Sequence, residues 1–336
     1  MAETPGPAYL GGVGMTAFGR HGDRSLADLG REACVDALRD AQVAPSAVQA
    51  AYCGNALGAG VQGETGIGQS VLWELGIHGI PVVNVENACA SGATALHLAW
   101  RDVAWGIHDV VLAVGLDKGV MPKGSVLKAG IGRLESQLGD IFPGLFALIA
   151  QQHMRTHGTT LEQMAQVSVK NHANGALNPL AQFNRIVTLE QALASPMVAD
   201  PLTLFSCCPN SDGAAAAVVC SAKWLRAGSA LRLAASVLGS GDYDPMRDLT
   251  YWASERRVVA QAYANAGLGP QDLDVVEVHD AFTITEIAWQ LRGQAQGRQI
   301  PAARVGLAQI MGGSKGNDAQ ACAVHILVND AQVSNP

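Results

Sequence analysis

The 336-residue chain is short of charge: Asp, Glu, Lys and Arg make up only 15% of it, while 49% is hydrophobic. That balance excludes an intrinsically disordered chain. There is no basic excess either. Lys and Arg number 22 against 29 Asp and Glu, a formal net charge of −7, which excludes a general nucleic-acid binder. No apolar run reaches the ~18 residues of a membrane span, so no membrane partner is expected. The opening MAETPGPAYLGG has neither a basic n-region nor an apolar h-region, and no secretory signal is expected. The seven Cys (34, 53, 89, 207, 208, 220, 322) are an odd count without a CxxC pair. Neither a disulfide framework nor a zinc site is indicated, and no metal is expected. These absences lead to the expectation of a cytoplasmic α/β protein with reduced thiols.

Gly is what the chain has in plenty, 38 residues where ~7% is usual, spread as single turns and short clusters. Between them, strand-like and helix-like stretches alternate. AYLGGVG (8–14) predicts a short strand, and 25–42 carries Leu26, Leu29, Ala33, Val35, Ala37 and Leu38 at roughly helical spacing. VQAAYCGNALG (48–58) reads as a strand running into a Gly loop. PVVNVENACASGATALHLAWRDVAWG (81–106) reads as a buried strand, a tight turn and a long apolar helix, and DVVLAVG (109–115) as another buried strand. Such alternation implies a largely parallel sheet covered by helices on both faces.

The pattern changes between 116 and 199. This stretch is loop-rich, with a helical run at 160–174, and holds seven Lys/Arg (118, 123, 128, 133, 155, 170, 185) against five Asp/Glu. It reads either as ordinary surface variation or as a lid whose local positive charge focuses a polyanionic ligand. GAAAAVVCS (213–221) then returns the chain to the core as a strand, with Asp212 and Gly213 expected in a turn.

An internal repeat organises the rest. ALRDAQVAPSAVQAAYCG (37–54) matches AYANAGLGPQDLDVVEVH (262–279) at an offset of 225, aligning Pro45 with Pro270. ALHLAW (95–100) resembles ITEIAW (284–289) at an offset of 189, and VVLAVG (110–115) resembles RVGLAQ (304–309). The second half is therefore 36 residues shorter between its first two matched blocks. What it lacks corresponds to the strand and turn that lead to Cys89.

Cys89 lies between the β-branched run Val82, Val83, Val85 and a helix starting near Ser91–Gly92. A thiol at a strand-to-helix turn sits at the positive end of the helix dipole. Unpaired backbone N–H groups there favour a thiolate and can hold an oxyanion. Ala88, Ala90, Ser91, Gly92 and Ala93 are small enough for the tight turn and leave room for an acyl group. Cys207 and Cys208 read as buried structural residues. GGSKG (312–316) lacks the spacing of a phosphate loop. Asn171, His172, Asn174 and Asn178 are read as organising the lid.

N-x-C-x-S-G before an apolar helix, two repeated halves and an intervening lid resemble the thiolase superfamily. The sterol-carrier-protein-type branch is the nearest in pattern; it includes acyl-CoA acetyltransferases, benzoylsuccinyl-CoA-thiolase-like and steroid side-chain aldolase-like members. VEVHDAF (276–282), VKNHANGALNP (169–179), ADPLTLFSCCPNSDGAA (199–215) and WQLRGQAQGRQIPAARVGLAQIMGGSKG (289–316) are similar to its motifs. The resemblance spans about residues 8–328. It implies an α/β thiolase fold, two pseudo-symmetric βαβαβ halves with five-stranded mixed sheets in a layered αβαβα arrangement. The N-terminal half would be 1–115 with 200–225, the lid 116–199, and the C-terminal half 226–336, shortened near 284/285.

The same resemblance implies a Cys89 acyl-enzyme formed from acyl-CoA, for thiolysis or condensation of a 3-oxoacyl-CoA. It puts His279 at an oxyanion hole for the thioester enolate, and the backbone near Gly312 and Gly313 beside the Cys89 N–H at a second one. Coenzyme A enters as a thioester substrate, with no bound cofactor. A homodimer is implied, with a small zinc-ribbon/OB-fold protein as a further subunit in some members. Two other activities fit the pattern: a retro-aldolase working with such a partner, and a non-catalytic CoA-binding subunit.

Two departures stand out. The Gly-His-Pro loop whose His activates the nucleophile in thiolases is absent; Phe282-Thr283-Ile284 runs directly into Thr285-Glu286-Ile287. Where ordinary thiolases carry a second catalytic Cys, this chain has Ile310, which transfers no proton.

Overall fold

The structure, a computed structural model, describes residues 5–120, 141–226, 230–242, 244, 248–279, 283–315 and 318–330, with backbone only at 283, 314 and 315. The first half runs β1 (Tyr9–Met15), α1 (Leu26–Ala41), β2 (Ala50–Gly54), α2 (Ile67–Trp73), β3 (Val82–Val85), α3 (Ser91–Ala104) and β4 (Val110–Lys118). An inserted segment then holds α4 (Phe142–His157), α5 (Leu161–Ala176), α6 (Leu189–Leu193) and the two-stranded ribbon β5 (Met197–Ala199) and β6 (Leu202–Thr203). The chain re-enters the sheet as β7 (Asp212–Cys220). It continues with β8 (Leu231–Gly239), α7 (Ala253–Ala266), β9 (Val275–Val278), α8 (Thr283–Arg292), β10 (Val305–Lys315) and β11 (Asp318–Asn329).

The repeat governs local structure. α1 is started by a capping box between Ser25 and Asp28 and buries the stripe Leu26, Leu29, Ala33, Ala37, Leu38. It ends on Gln42 in the left-handed conformation; α7 ends on left-handed Gly267, 225 residues later. Pro45 and Pro270 each open a short 3₁₀ turn that feeds the next strand, β2 or β9. The sheet order is β3-β2-β4-β7-β1 in the first half and β8-β11-β10-β9 in the second, joined by two residue pairs between β1 and β8. β2–β4 and β9–β10 are both parallel, and β4–β7 and β10–β11 both antiparallel. The expected α/β architecture is thus present as a mixed sheet with the two halves matching strand for strand, with one exception.

The exception is β3. The expectation was five strands in each half, but the second half has four among the described residues. In the first half the connection from β2 to α3 contains α2 and β3; in the second, β9 passes to α8 within four residues. The consequence shows in burial. Ala51 and Cys53 of β2 are about 1–2% exposed, covered by α2 and β3, whereas their counterparts Val276 and Val278 are 53% and 66% exposed. β3 itself is an edge strand with Val83 at 42% exposure. It was expected to be buried; its apolar run misled because, among the described residues, no strand pairs with its outer edge.

The layers follow from three apolar clusters. α1 and α2 cover one face of the first sheet. α3 and α8 are sandwiched between the halves through Ala95, Leu96, Ala99, Ile287, Ala288 and Leu291. α7 covers the outer face of the second through Val258 and Ala262. A buried ion pair ties the halves: Arg292 of α8, with its side chain 5% exposed, meets Asp40 of α1 at 2.5 Å and donates to the carbonyls of Leu10 and Gly11.

Candidate active site

The turn before α3 is held from both sides. The Ser91 hydroxyl donates to the Ala88 carbonyl at 2.6 Å and accepts from the Asn87 N–H at 2.8 Å. Asn87 Nδ2 donates to Thr94 Oγ1 at 3.1 Å. This lets Ala88 sit at φ +48°, a sparsely populated region for a non-glycine residue, and turns Cys89 outward, where it is exposed.

The β10–β11 hairpin packs against this turn. A Cβ on Gly312 would lie 2.2 Å from the Asn87 carbonyl oxygen, so only glycine permits the approach. Gly313 is at φ +61°, a conformation glycine adopts freely, and its N–H lowers the pKa of the Cys89 thiol. Residues 312 and 313 are therefore beside Cys89. His279 ends β9 at φ +40°. Its N–H donates to the Gln309 carbonyl at 2.6 Å, and its Nδ1 accepts from the Met311 N–H at 3.1 Å. An Nδ1 that accepts leaves the neutral ring's proton on Nε2, which makes that nitrogen a donor. The fold thus gathers Cys89, Gly312–Gly313 and His279 around one hairpin. Asp280, Ala281 and Phe282 of the same motif lie outside the described residues, as does 121–140 of the lid.

The thiol's electrostatics run against the expectation from the helix terminus. Although Cys89 is exposed at the surface, the protein packed around its sulfur makes desolvation the largest influence and raises its pKa. The Gly313 N–H and its own N–H oppose that rise, while Cys208 and Asp117 add to it. Cys208 is exposed rather than buried, and Cys207 is half-buried; their segment follows the short 3₁₀ turn Leu204–Ser206 and borders the site instead of filling the core. Asp117, at the end of β4, is pushed up to about 6 by burial, against the pull of the Leu57 and Ala56 N–H groups. It accepts from Asn55 Nδ2 at 3.0 Å and Leu57 N–H at 2.8 Å, pinning the loop after β2.

Asp212, expected in a turn, is instead 1% exposed at the start of β7 and accepts from the backbone of His21 and Val120. In the inserted segment, His172 Nδ1 meets the Arg185 carbonyl at 3.2 Å and its ring packs on Phe183 and Phe205. The Asn178 side chain accepts from the Leu180 N–H. Asp117 and Gln309 went unread in the sequence. Each carries one available signal, a polar residue interrupting or ending a buried apolar strand.

A cysteine on a strand-to-helix turn, with a glycine hairpin packed against it and a histidine held on the same hairpin, brings together a thiol and oriented N–H donors. The comparisons name the family. The thiolase N-terminal domain matches residues 11–223, and the thiolase C-terminal domain-like family matches 236–289. The chain is 39% identical over 289 residues to the benzoylsuccinyl-CoA thiolase subunit BbsB of Thauera aromatica, covering 84% of this chain and 74% of that one. It is 35% identical to an acetyl-CoA acetyltransferase of Methanothermobacter thermautotrophicus, covering 94% and 97%. That second alignment runs over 377 positions, more than this chain has residues, so the relative carries segments opposite gaps here.

Among solved structures, the Ltp2-ChsH2(DUF35) aldolase superposes with a TM-score of 0.79 at 22% identity, over 97% of this chain and 98% of that one. The Acat5 thiolase from Ascaris suum, in complex with coenzyme A, superposes with a TM-score of 0.66 at 18% identity, over 96% and 99%. The chain belongs to the thiolase family. It is a thiolase-type acyl-CoA acyltransferase, and its substrates are coenzyme A thioesters. Among the described residues no helix is long and apolar enough to cross a membrane.

Proposed function

We propose that the Cys89 sulfur attacks the carbonyl of an acyl-CoA, that coenzyme A leaves as its thiol, and that the acyl group is held as a Cys89 thioester. The observation that carries this reading is the meeting of the Cys89 turn with Gly312–Gly313. The N–H groups of Cys89 and the hairpin face the place where the tetrahedral oxyanion forms, and oriented donors of this kind act where charge develops. His279 supports the second half-reaction: its Nε2–H is suited to hold the oxygen of a thioester enolate as the carbon–carbon bond forms or breaks.

In this reading residues 1–115 with 200–225 form the nucleophile-bearing half, 116–199 the lid, and 226–336 the oxyanion-bearing half, shortened near 284/285. A homodimer and a cytoplasmic location belong to the same proposal; the exposed β3 edge supports the first. The aldolase superposition supports a second reading, aldol cleavage of a CoA-linked side chain with a small zinc-ribbon/OB-fold partner. That lyase would not need Cys89. The shortened second half supports a third, a subunit that binds CoA without turning it over.

Carbon–carbon chemistry needs a base as well as an oxyanion hole, and the Gly-His-Pro segment that would bring it is absent. Losing a positioned base typically costs ~10²–10⁴-fold. The chain alone is therefore expected to thiolyse a short and an aromatic 3-oxoacyl-CoA far below ~10 s⁻¹, the enzyme median. The assay is run on wild type and Cys89→Ser, with and without a zinc-ribbon partner protein. Turnover that is slow and dependent on Cys89 supports the acyl-enzyme. Turnover that survives Cys89→Ser replaces it with the lyase reading.

A further inference from the structure

We propose that Gln309 is a positioning residue for His279, with Glu255 deciding which way the Gln309 amide faces. The inference rests on the reading of His279 as an enolate-holding donor, and extends it to groups that touch no substrate. Gln309 lies in β10, 5% exposed, directly beside Val278 in the parallel β9–β10 pairing. His279, the next residue, has left the strand at φ +40°. A residue other than glycine is uncommon there, and its surroundings hold it in place.

Three hydrogen bonds from β10 hold it. The His279 N–H is shared between the Gln309 backbone carbonyl at 2.6 Å and its side-chain Oε1 at 3.2 Å. Two residues on, the Met311 N–H reaches His279 Nδ1 at 3.1 Å. The residue is thus held at its backbone by Gln309 and at its ring by Met311. Both grips are needed to aim Nε2: the first sets the Cα position and so keeps Nδ1 within reach of the Met311 N–H, and the second then fixes the tautomer.

An amide has a donor end and an acceptor end, and the side-chain part of the Gln309 grip works only when the acceptor end faces His279. Glu255 on α7 enforces this. Its Oε1 accepts from Gln309 Nε2 at 2.8 Å, and an ionised carboxylate offers no donor. The reversed amide would set oxygen against carboxylate at one end and NH₂ against N–H at the other. Cys322 Sγ, 3.9 Å from Nε2, is a weak acceptor on the same side and adds to the preference.

The test is the tautomer of His279, read by ¹⁵N NMR of histidine-labelled protein with His279→Ala to assign the signal. The wild type is expected to show one neutral tautomer, protonated at Nε2. Gln309→Leu, close in volume but without the amide, is expected to give a mixture of tautomers. Glu255→Gln is expected to give a partial shift, and no additional shift when placed on Gln309→Leu, because Glu255 acts through the amide. Glu255 is only half-buried, so its variant keeps the measurement open if Gln309→Leu does not fold.

A wild-type tautomer in folded Gln309→Leu overturns the proposal, and so does an undiminished Glu255→Gln effect in the Leu background. A second readout is deuterium uptake at the α-carbon of acetyl-CoA in D₂O with imidazole buffer. The buffer base removes the α-proton, the electron pair moves onto the thioester oxygen, and a solvent deuteron replaces the proton. Exchange is expected to fall about tenfold in both His279→Ala and Gln309→Leu. A fall in His279→Ala alone overturns the positioning role. No fall in His279→Ala overturns the enolate reading instead, and the tautomer measurement still decides the proposal.

Discussion

Cysteine environments differ enough here to be told apart by reactivity. Cys34, Cys53, Cys220 and Cys322 are buried, and burial raises all four thiols, the last three to about 12. Cys89 is exposed and its thiol is raised as well. A raised thiol pKa means little thiolate at neutrality, so modification of Cys89 should quicken with pH through the alkaline range instead of reaching a plateau near pH 7. Peptide mapping after brief alkylation of the native protein should find Cys89 and Cys208 labelled and those four cysteines unlabelled. A Cys89 rate that is flat between about pH 7 and 9 would restore the helix-terminus expectation.

A second residue carries a pH signature of its own. His325 in β11 is 1% exposed; its Nδ1 meets Ser236 Oγ at 3.0 Å, and burial lowers it to about 3. The folded state keeps it neutral while the unfolded chain protonates it below its ordinary value near 6.5, so it costs stability as pH falls through the window from 6.5 to 3. Between pH 7 and 5 the loss from this group is about 2 kcal/mol. Asp117, raised by burial to about 6, works in the opposite sense, since its fold is favoured when it is protonated. Comparing denaturation of wild type and His325→Asn at both pH values isolates the histidine. The wild type should lose more on acidification, and parallel losses would contradict the assignment.

Among the elements, the β10–β11 hairpin is the one whose position decides the site. Gly312→Ala puts a Cβ 2.2 Å from the Asn87 carbonyl oxygen, backbone against backbone, where no side-chain rotation relieves it. The hairpin or the Cys89 turn must move. Overpacking of this kind costs about 1–3 kcal/mol, and Cys89 acylation is expected to slow by roughly tenfold or more, as for loss of an oxyanion donor. Acylation at the wild-type rate in Gly312→Ala would show that the hairpin contributes no donor. The shortened second half predicts the reverse tolerance at β9. Val278→Thr should cost under about 0.5 kcal/mol, as exposed positions do, because the covering that buries Cys53 in the first half has no counterpart there.

These elements also mark what the sequence made legible. α1, β2, β4, α3 and the strand at 213–220 follow from apolar periodicity and from caps such as Ser25. The repeat located the shortfall in the second half because Pro45 and Pro270 punctuate identical turns. Cys89 and His279 were readable because each follows a strand within a motif. The exposed edge of β3 was not, since an apolar run reads alike whether or not a neighbour covers it. Nor was the raised Cys89 thiol: its desolvation comes from tertiary packing, and the further rise from the electrostatic influence of Cys208 and Asp117, distant in sequence. Gln309 and Glu255 meet only through the packing of α7 on β10.

At the scale of the molecule, two like halves divide the work. In the proposed reading one carries the nucleophile, Cys89, on the turn before its central helix. The other contributes a glycine hairpin and a histidine while lacking the α2–β3 counterpart that would complete its edge. Forming an acyl-enzyme from a thioester needs only a thiol and oriented N–H groups. A full catalytic cycle also needs a base, and this sequence has no Gly-His-Pro segment to bring it. Inserting a Gly-His-Pro-bearing segment between Ile284 and Thr285 is therefore expected to raise thiolysis, and an insertion that folds without raising it would count against the missing segment as the cause. The central claim, acyl transfer to Cys89, is tested most directly by the intact mass of the protein after incubation with acyl-CoA. The account predicts one added acyl group on the wild type and none on Cys89→Ser. An unmodified wild type, or an equal adduct on Cys89→Ser, would contradict it.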